Sequence, residues 1–185
     1  LGAGLLVASH RPAKPLTTTT TIPPANMFNI NNCTTINKPG TYYLLNSIFT
    51  RIQNKSCIEI TSSNVKLDGN GNLVRGSGPY AVVPPYSYGI MVDGAHNVTI
   101  YNLGVSDFSY GIYFNKINNS TIDMINATND TMSGILLFDS YNNTIENSTI
   151  SKSASKEGGL YLLGGGNNII NNVVSSFNIY YGTAI

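Results

Sequence analysis

The sequence predicts an all-β solenoid in which one parallel strand-and-turn unit returns once per coil. The first observation is a ladder of short apolar strands, each opened by asparagine. Asn64-Val-Lys-Leu, Asn97-Val-Thr-Ile, Asn119-Ser-Thr-Ile, Asn142-Asn-Thr-Ile and Asn167-Asn-Ile-Ile start at intervals of 33, 22, 23 and 25 residues. The second is a glycine ladder in step with it: Gly89, Gly111, Gly134, Gly159 and Gly182, at intervals of 22, 23, 25 and 23. Two interleaved ladders with one period mark a repeat architecture. The third observation is that no segment sustains a 3.6-residue apolar period, so helix is not expected.

The elements follow in chain order. Residues 1–24 are an apolar tail and a Thr/Pro-rich linker. The tail, from Leu1 to Ser9, is too short to span a bilayer and could be the remnant of a signal segment. In the linker, Thr17 to Thr21 and Pro23-Pro24 favour an extended backbone. Residues 25–185 are the parallel β-helix, with about 22–25 residues per coil. Cys33 to Ile36 and Thr41 to Leu45 flank a Lys38-Pro-Gly40 turn, and Ser56 to Ile60 is a further alternating strand. Gly76 to Pro79 and Pro84-Pro85 place a loop between residues 70 and 87, which accounts for the long interval. Within the repeats, Leu67, Ile100, Ile122, Ile145 and Ile170 form the inward column. Lys66, Thr99, Thr121, Thr144 and Ile169 form the outward column beside it. Like residues stacking on like residues require a parallel solenoid. The asparagine column is expected to be buried at a bend, bonding backbone and neighbouring asparagines. The glycine column is expected to supply positive φ.

Composition narrows the function. The net charge is +1 and 10% of the 185 residues are charged, which excludes the basic patch of a nucleic-acid binder or a polybasic anchor. Asparagine is the outlier, with 25 residues. Cys33 and Cys57 lie 24 residues apart, one coil. Neighbouring rungs stand about 4.8 Å apart, within disulfide reach. A bond there implies an oxidising, extracellular setting; two reduced core thiols are the alternative. Sequons at Asn32, Asn54, Asn97, Asn118, Asn119, Asn126, Asn129, Asn142 and Asn147 fit the same setting. An Asn- and Thr-rich chain also produces sequons by chance.

Pro39-Gly-Thr-Tyr-Tyr-Leu44, Cys57-Ile-Glu-Ile60, Asn64-Val-Lys-Leu-Asp-Gly-Asn-Gly71 and Tyr88-Gly-Ile90 carry a family resemblance. The chain resembles archaeal secreted right-handed parallel β-helix proteins, related to the NosD-like group with carbohydrate-binding and sugar-hydrolase repeats. The resemblance implies a right-handed coil. It is specific for fold and does not select one activity, since members include enzymes, surface-layer modules and proteins of unassigned role.

Asp68, Asp123 and Glu146 share an outward position and are the catalytic candidates. Asp123 and Glu146 fall on adjacent rungs at about the spacing of a retaining glycosidase pair. A repeating solvated face is the plainer reading. Catalysis would also want a cleft, aromatic sugar platforms and a basic partner, and no arginine falls in these repeats. The paired aspartates and Gly-His-Gly of polygalacturonases, which share this fold, are absent. Asp93, Asn115 and Asp139 offer oxygen ligands near one turn, as calcium would need, but the register slips at Asp139. The resemblance raises copper, yet only His10 and His96 are present, too few for a site. No cofactor or metal is expected.

The function expected is that of a structural subunit of an extracellular filament or surface coat. Leu1, Leu5, Leu6 and Val7 would dock on a neighbouring copy. The strand-like Tyr181, Gly182, Thr183, Ala184 and Ile185 would stack on the next copy's first rung. A carbohydrate-binding or polysaccharide-cleaving module is the alternative, with an adhesin fragment between the two. The partners are thus further copies of the chain or extracellular glycans.

Overall fold

The structure, a computed structural model, describes residues 26–52, 55–78 and 85–185. Leu1, Leu5, Leu6, Val7, His10 and Asn54 lie outside these residues. The regular elements of the described chain are all strands, taken coil by coil. They begin with β1 (Met27–Ile30) and β2 (Thr34–Ile36), then β3 (Gly40–Leu44), β4 (Ile48–Phe49) and β5 (Ser56–Ile60). Next come β6 (Val65–Asp68), β7 (Leu73–Arg75) and β8 (Tyr88–Asp93), followed by β9 (Val98–Ser106) and β10 (Tyr110–Asn115). The later coils hold β11 (Thr121–Thr128), β12 (Ser133–Tyr141), β13 (Thr144–Ser151), β14 (Leu160–Gly166), β15 (Ile169–Ser176) and β16 (Thr183–Ala184).

The chain alternates between two parallel walls. Wall A holds nine strands, ordered β1-β3-β6-β9-β11-β13-β15, with β4 and β7 paired beside them; wall B holds seven, β16-β14-β12-β10-β8-β5-β2. Register is one residue to its copy one coil away. Leu67 faces Ile100, Ile100 faces Ile122, Ile122 faces Ile145 and Ile145 faces Ile170, as the inward column requires. Burial of Leu67, Ile100, Ile122 and Ile145 from this stack and of Ile58, Ile90, Ile112 and Ile135 across the interior forms one continuous core. Cys33 and Cys57 are joined across adjacent rungs, with Cα atoms 4.4 Å apart.

The corner chemistry reverses the sequence expectation. The asparagine column holds the left-handed conformation: φ is 60° at Asn64, 53° at Asn97, 51° at Asn119, 54° at Asn142 and 56° at Asn167. These side chains are exposed. Asparagine tolerates this conformation because its short polar side chain bonds locally. A second left-handed column, Asn70, Asn102, Met124, Asn147 and Asn172, bends wall A in the middle. A third, Asp107, Asn129, Lys152 and Phe177, turns the chain from wall A to wall B. The glycine column does not supply positive φ. It is needed for close approach: a Cβ on Gly111 would lie 2.5 Å from the Gly134 carbonyl, and one on Gly89 would lie 2.4 Å from Val105. The buried polar ladder stands one residue after the asparagine column. Asn143 accepts the Ser120 amide at 3.0 Å, and its own amide donates to Asn168 Oδ1 at 3.0 Å. Its side-chain nitrogen donates to the Ile117 carbonyl at 3.0 Å.

The last rung differs from the interior. Ile145 is 0% exposed, while its stacking partner Ile170 is 37% exposed and Ile185 90%. β16 pairs with β14 through Leu160–Thr183 and Tyr161–Ala184. Thr183 and Ala184 therefore add a short strand to wall B.

Candidate functional site

Strand alternation decides what each wall shows outside. On wall B, Ile90 and Val92, Ile112 and Phe114, Ile135 and Leu137, and Leu160 and Leu162 point inward and are buried. The residues between them point outward, and they are not polar. Met91, Tyr113, Leu136 and Tyr161 stack in one outward column. Tyr88 and Tyr110 stack in another. Tyr110, Met132 and Leu136 are buried by their outer neighbours, while Tyr88, Met91, Tyr113 and Tyr161 are half-buried and form the accessible part of the stripe.

The tyrosine rings pack on one another. Tyr88 and Tyr110 have ring centroids 5.6 Å apart, Tyr88 and Tyr113 5.3 Å, and Tyr110 and Tyr113 5.7 Å, all near-parallel. Tyr86 meets Tyr110 edge-on at 5.3 Å. Met132 and Leu136 complete this outer cluster, with Tyr161 at its margin. Two grooves flank it. Thr34, Thr35, Lys55, Ser56, Glu59, Tyr88 and Met91 line one. Met132, Ala154, Ser155, Lys156, Glu157 and Tyr180 line the other, of about 360 Å³.

Glu157 is the polar centre of the second groove. Its Oε1 accepts the Tyr110 hydroxyl at 3.3 Å, and its buried Oε2 has no partner. Burial raises its pKa above the ordinary carboxylate value, against the opposing pull of the Tyr110 hydrogen bond. Burial likewise raises Tyr88 and Tyr110, and pushes Tyr113 up to about 12. The tyrosines stay protonated donors at neutral pH.

Asp68, Asp123 and Glu146 stand on wall A. Asp68 pairs in register with Tyr101, Tyr101 with Asp123, and Asp123 with Glu146, as the repeat requires. Asp68 and Asp123 are engaged in their own contacts. Asp68 accepts the Tyr101 hydroxyl through Oδ2 and the Asn70 amide at 2.8 Å through Oδ1. Burial, followed by the bond to Asp68, pushes Tyr101 up to about 12. Lys66 lies 4.6 Å over the Tyr101 ring. Asp123 accepts Asn147 at 2.9 Å. Asp93 and Asn115 are bonded to each other at 2.7 Å, and Phe138, not Asp139, occupies the next position of that column. Among the described residues no group of three His, Cys, Asp or Glu side chains is placed to hold a metal ion. The eight described sequon asparagines are all exposed.

Sequence reasoning missed the tyrosine face. The signal was present, since Tyr88-Gly and Tyr110-Gly repeat one coil apart. It also missed an arginine: Arg75 lies in the ladder between Phe49 and Ser106.

Comparison with known proteins agrees with the fold. The family description "right handed beta helix region" matches residues 56–185. A candidate glycosyl hydrolase from Parabacteroides merdae superposes with a TM-score of 0.53 at 13% identity, covering 83% of this chain and 85% of its own. At that identity the likeness shows fold alone. No curated protein matches the sequence.

Proposed function

The chain belongs to the right-handed β-helix family, and from that premise we propose that it is an extracellular carbohydrate-binding module. The ligand lies along the outer face of wall B. The observation that carries this reading is the outward tyrosine stripe, a stacked aromatic cluster on the outer face of wall B. Tyrosine combines an apolar ring with a hydroxyl, which suits a sugar surface that is part C–H and part O–H. The disulfide is compatible with an extracellular setting, and among the described residues no helix is long and apolar enough to cross a membrane. The fold of the Parabacteroides merdae protein, named for glycan chemistry, adds support.

Binding rather than cleavage is the activity proposed for this face. Glu59 and Glu157 lie four rungs apart, about 19 Å at the backbone, whereas glycosidase carboxyls lie roughly 5–9.5 Å apart. The cleavage alternative rests on Asp123 and Glu146 of wall A. It predicts that Asp123→Asn with Glu146→Gln abolishes sugar turnover. The test of the binding reading is a glycan array with the wild type and with Tyr113→Ala and Tyr161→Ala. Binding lost in both variants supports it. Binding unchanged in folded variants sinks it.

A second reading keeps one observation. The apolar rung from Ile169 to Ile185 is exposed, and a further rung would cover it, from the same polypeptide or from a second copy. A filament would follow from the second case. Electron microscopy of native material decides it: dispersed particles exclude a polymer, and threads with a one-subunit repeat support one.

A further inference from the structure

A third groove, on wall A, gathers positive charge. Phe49, Thr50, Arg51, Arg75, Gly76, Ser77, Gly78 and Asp107 line about 300 Å³ of open space beside β4 and β7. The chain has three arginines, Arg11, Arg51 and Arg75, and two of them meet here. The guanidinium of Arg75 is held in place. Its Nε donates to Asp107 Oδ2 at 2.7 Å. Asp107 is in turn fixed by the Ser106 hydroxyl at 3.0 Å and by the Asn129 side-chain amide. Asp107 is nearly buried, whereas the Arg75 side chain is 53% exposed. A positioned, half-exposed guanidinium is a recognition element for carboxylate or sulfate oxygens. Asp107 offsets one of the two positive charges, which leaves the groove at +1. On the adjacent rung Phe49 presents a ring that is 71% exposed. It stands directly beside Arg75 in the ladder.

We propose that this groove binds an acidic sugar unit, with its carboxylate or sulfate ester on Arg51 and Arg75 and its ring against Phe49. This rests on the carbohydrate-binding reading and names a charge class for a site separate from the tyrosine face.

The test is calorimetric titration at low salt with polygalacturonate oligomers and with dextran sulfate. Methyl-esterified polygalacturonate and plain dextran serve as the uncharged counterparts. The variants are Arg51→Gln and Phe49→Ala, whose side chains are exposed, with Tyr113→Ala as the control on the other wall. Arg51→Gln should weaken acidic-glycan binding roughly tenfold, as loss of a hydrogen bond to a charged group does. Added salt should weaken the wild type. Tyr113→Ala should leave acidic binding intact. The acidic polymer that binds identifies the group as carboxylate or sulfate. If folded Arg51→Gln binds like wild type, or if charged and uncharged forms bind alike, this groove is not the site. If no glycan of either charge binds anywhere, the carbohydrate reading itself fails.

Discussion

Lys152→Asn should make the protein more stable. Lys152 sits at φ 60°, in the corner column it shares with Asp107, Asn129 and Phe177. A left-handed residue with an ordinary Cβ costs roughly 1–2 kcal/mol, and asparagine relieves a large part of that. The side chain of Lys152 is exposed, so little burial is lost on replacing it. The net gain is about 1 kcal/mol, or about 2–4 °C in Tm for a domain of this size. The contrast is Lys38→Asn, also exposed but outside the left-handed column, which should change stability by no more than about 0.5 kcal/mol. Urea unfolding followed by circular dichroism reads both. Equal effects from the two substitutions, or a loss at Lys152, would refute the claim that the corners set the sequence.

Two further predictions concern charge and covalent closure. Asp130 is fully buried; its Oδ1 accepts the Phe108 amide at 3.0 Å and its Oδ2 has no partner. Burial raises its pKa well above the ordinary carboxylate range, and Glu157 shifts the same way. The folded protein therefore holds more protons than the unfolded chain at pH values above the ordinary carboxylate range. Stability is full below that range and is lost as pH rises from it through the raised folded-state values. Asp130→Asn should flatten this dependence and raise Tm at neutral pH; a pH profile unchanged from wild type would count against the burial argument. Replacing both Cys33 and Cys57 with alanine opens a loop of 24 residues and should cost about 3.5 kcal/mol. Loss of hydrogen-exchange protection should be largest at Thr34–Ile36, whose three-residue strand pairs only with β5; uniform loss would contradict a local staple.

Much of the fold was legible because repetition averages out local ambiguity. One Asn-Val-Thr-Ile could open many structures, but five copies in step leave only stacking. The inward stack from Leu67 to Ile170 and the Cys33–Cys57 link followed from spacing alone. The roles of Asn and Gly did not. The sequence marks where an unusual residue recurs, but both types suit positive φ. Only the approach of Gly111 to the Gly134 carbonyl reveals that glycine here avoids a clash. The tyrosine face was hidden for another reason. Apolar residues on both sides of a strand read as core, and Tyr113 and Leu136 could not be assigned to the outside until Ile112, Phe114 and Ile135 were placed inside. Arg75 was missed because β7 belongs to the half of wall A beyond the Asn70 bend, where the repeat signature fades.

The most direct test of the central claim is a titration of the protein with neutral oligosaccharides, followed by NMR of the tyrosine ring protons and the threonine methyls. The account predicts shifts at Tyr88, Tyr110, Tyr113 and Tyr161 on wall B, with Thr99, Thr121 and Thr144 on wall A unmoved. Shifts confined to the threonines of wall A, or no shifts with any oligosaccharide, would contradict it.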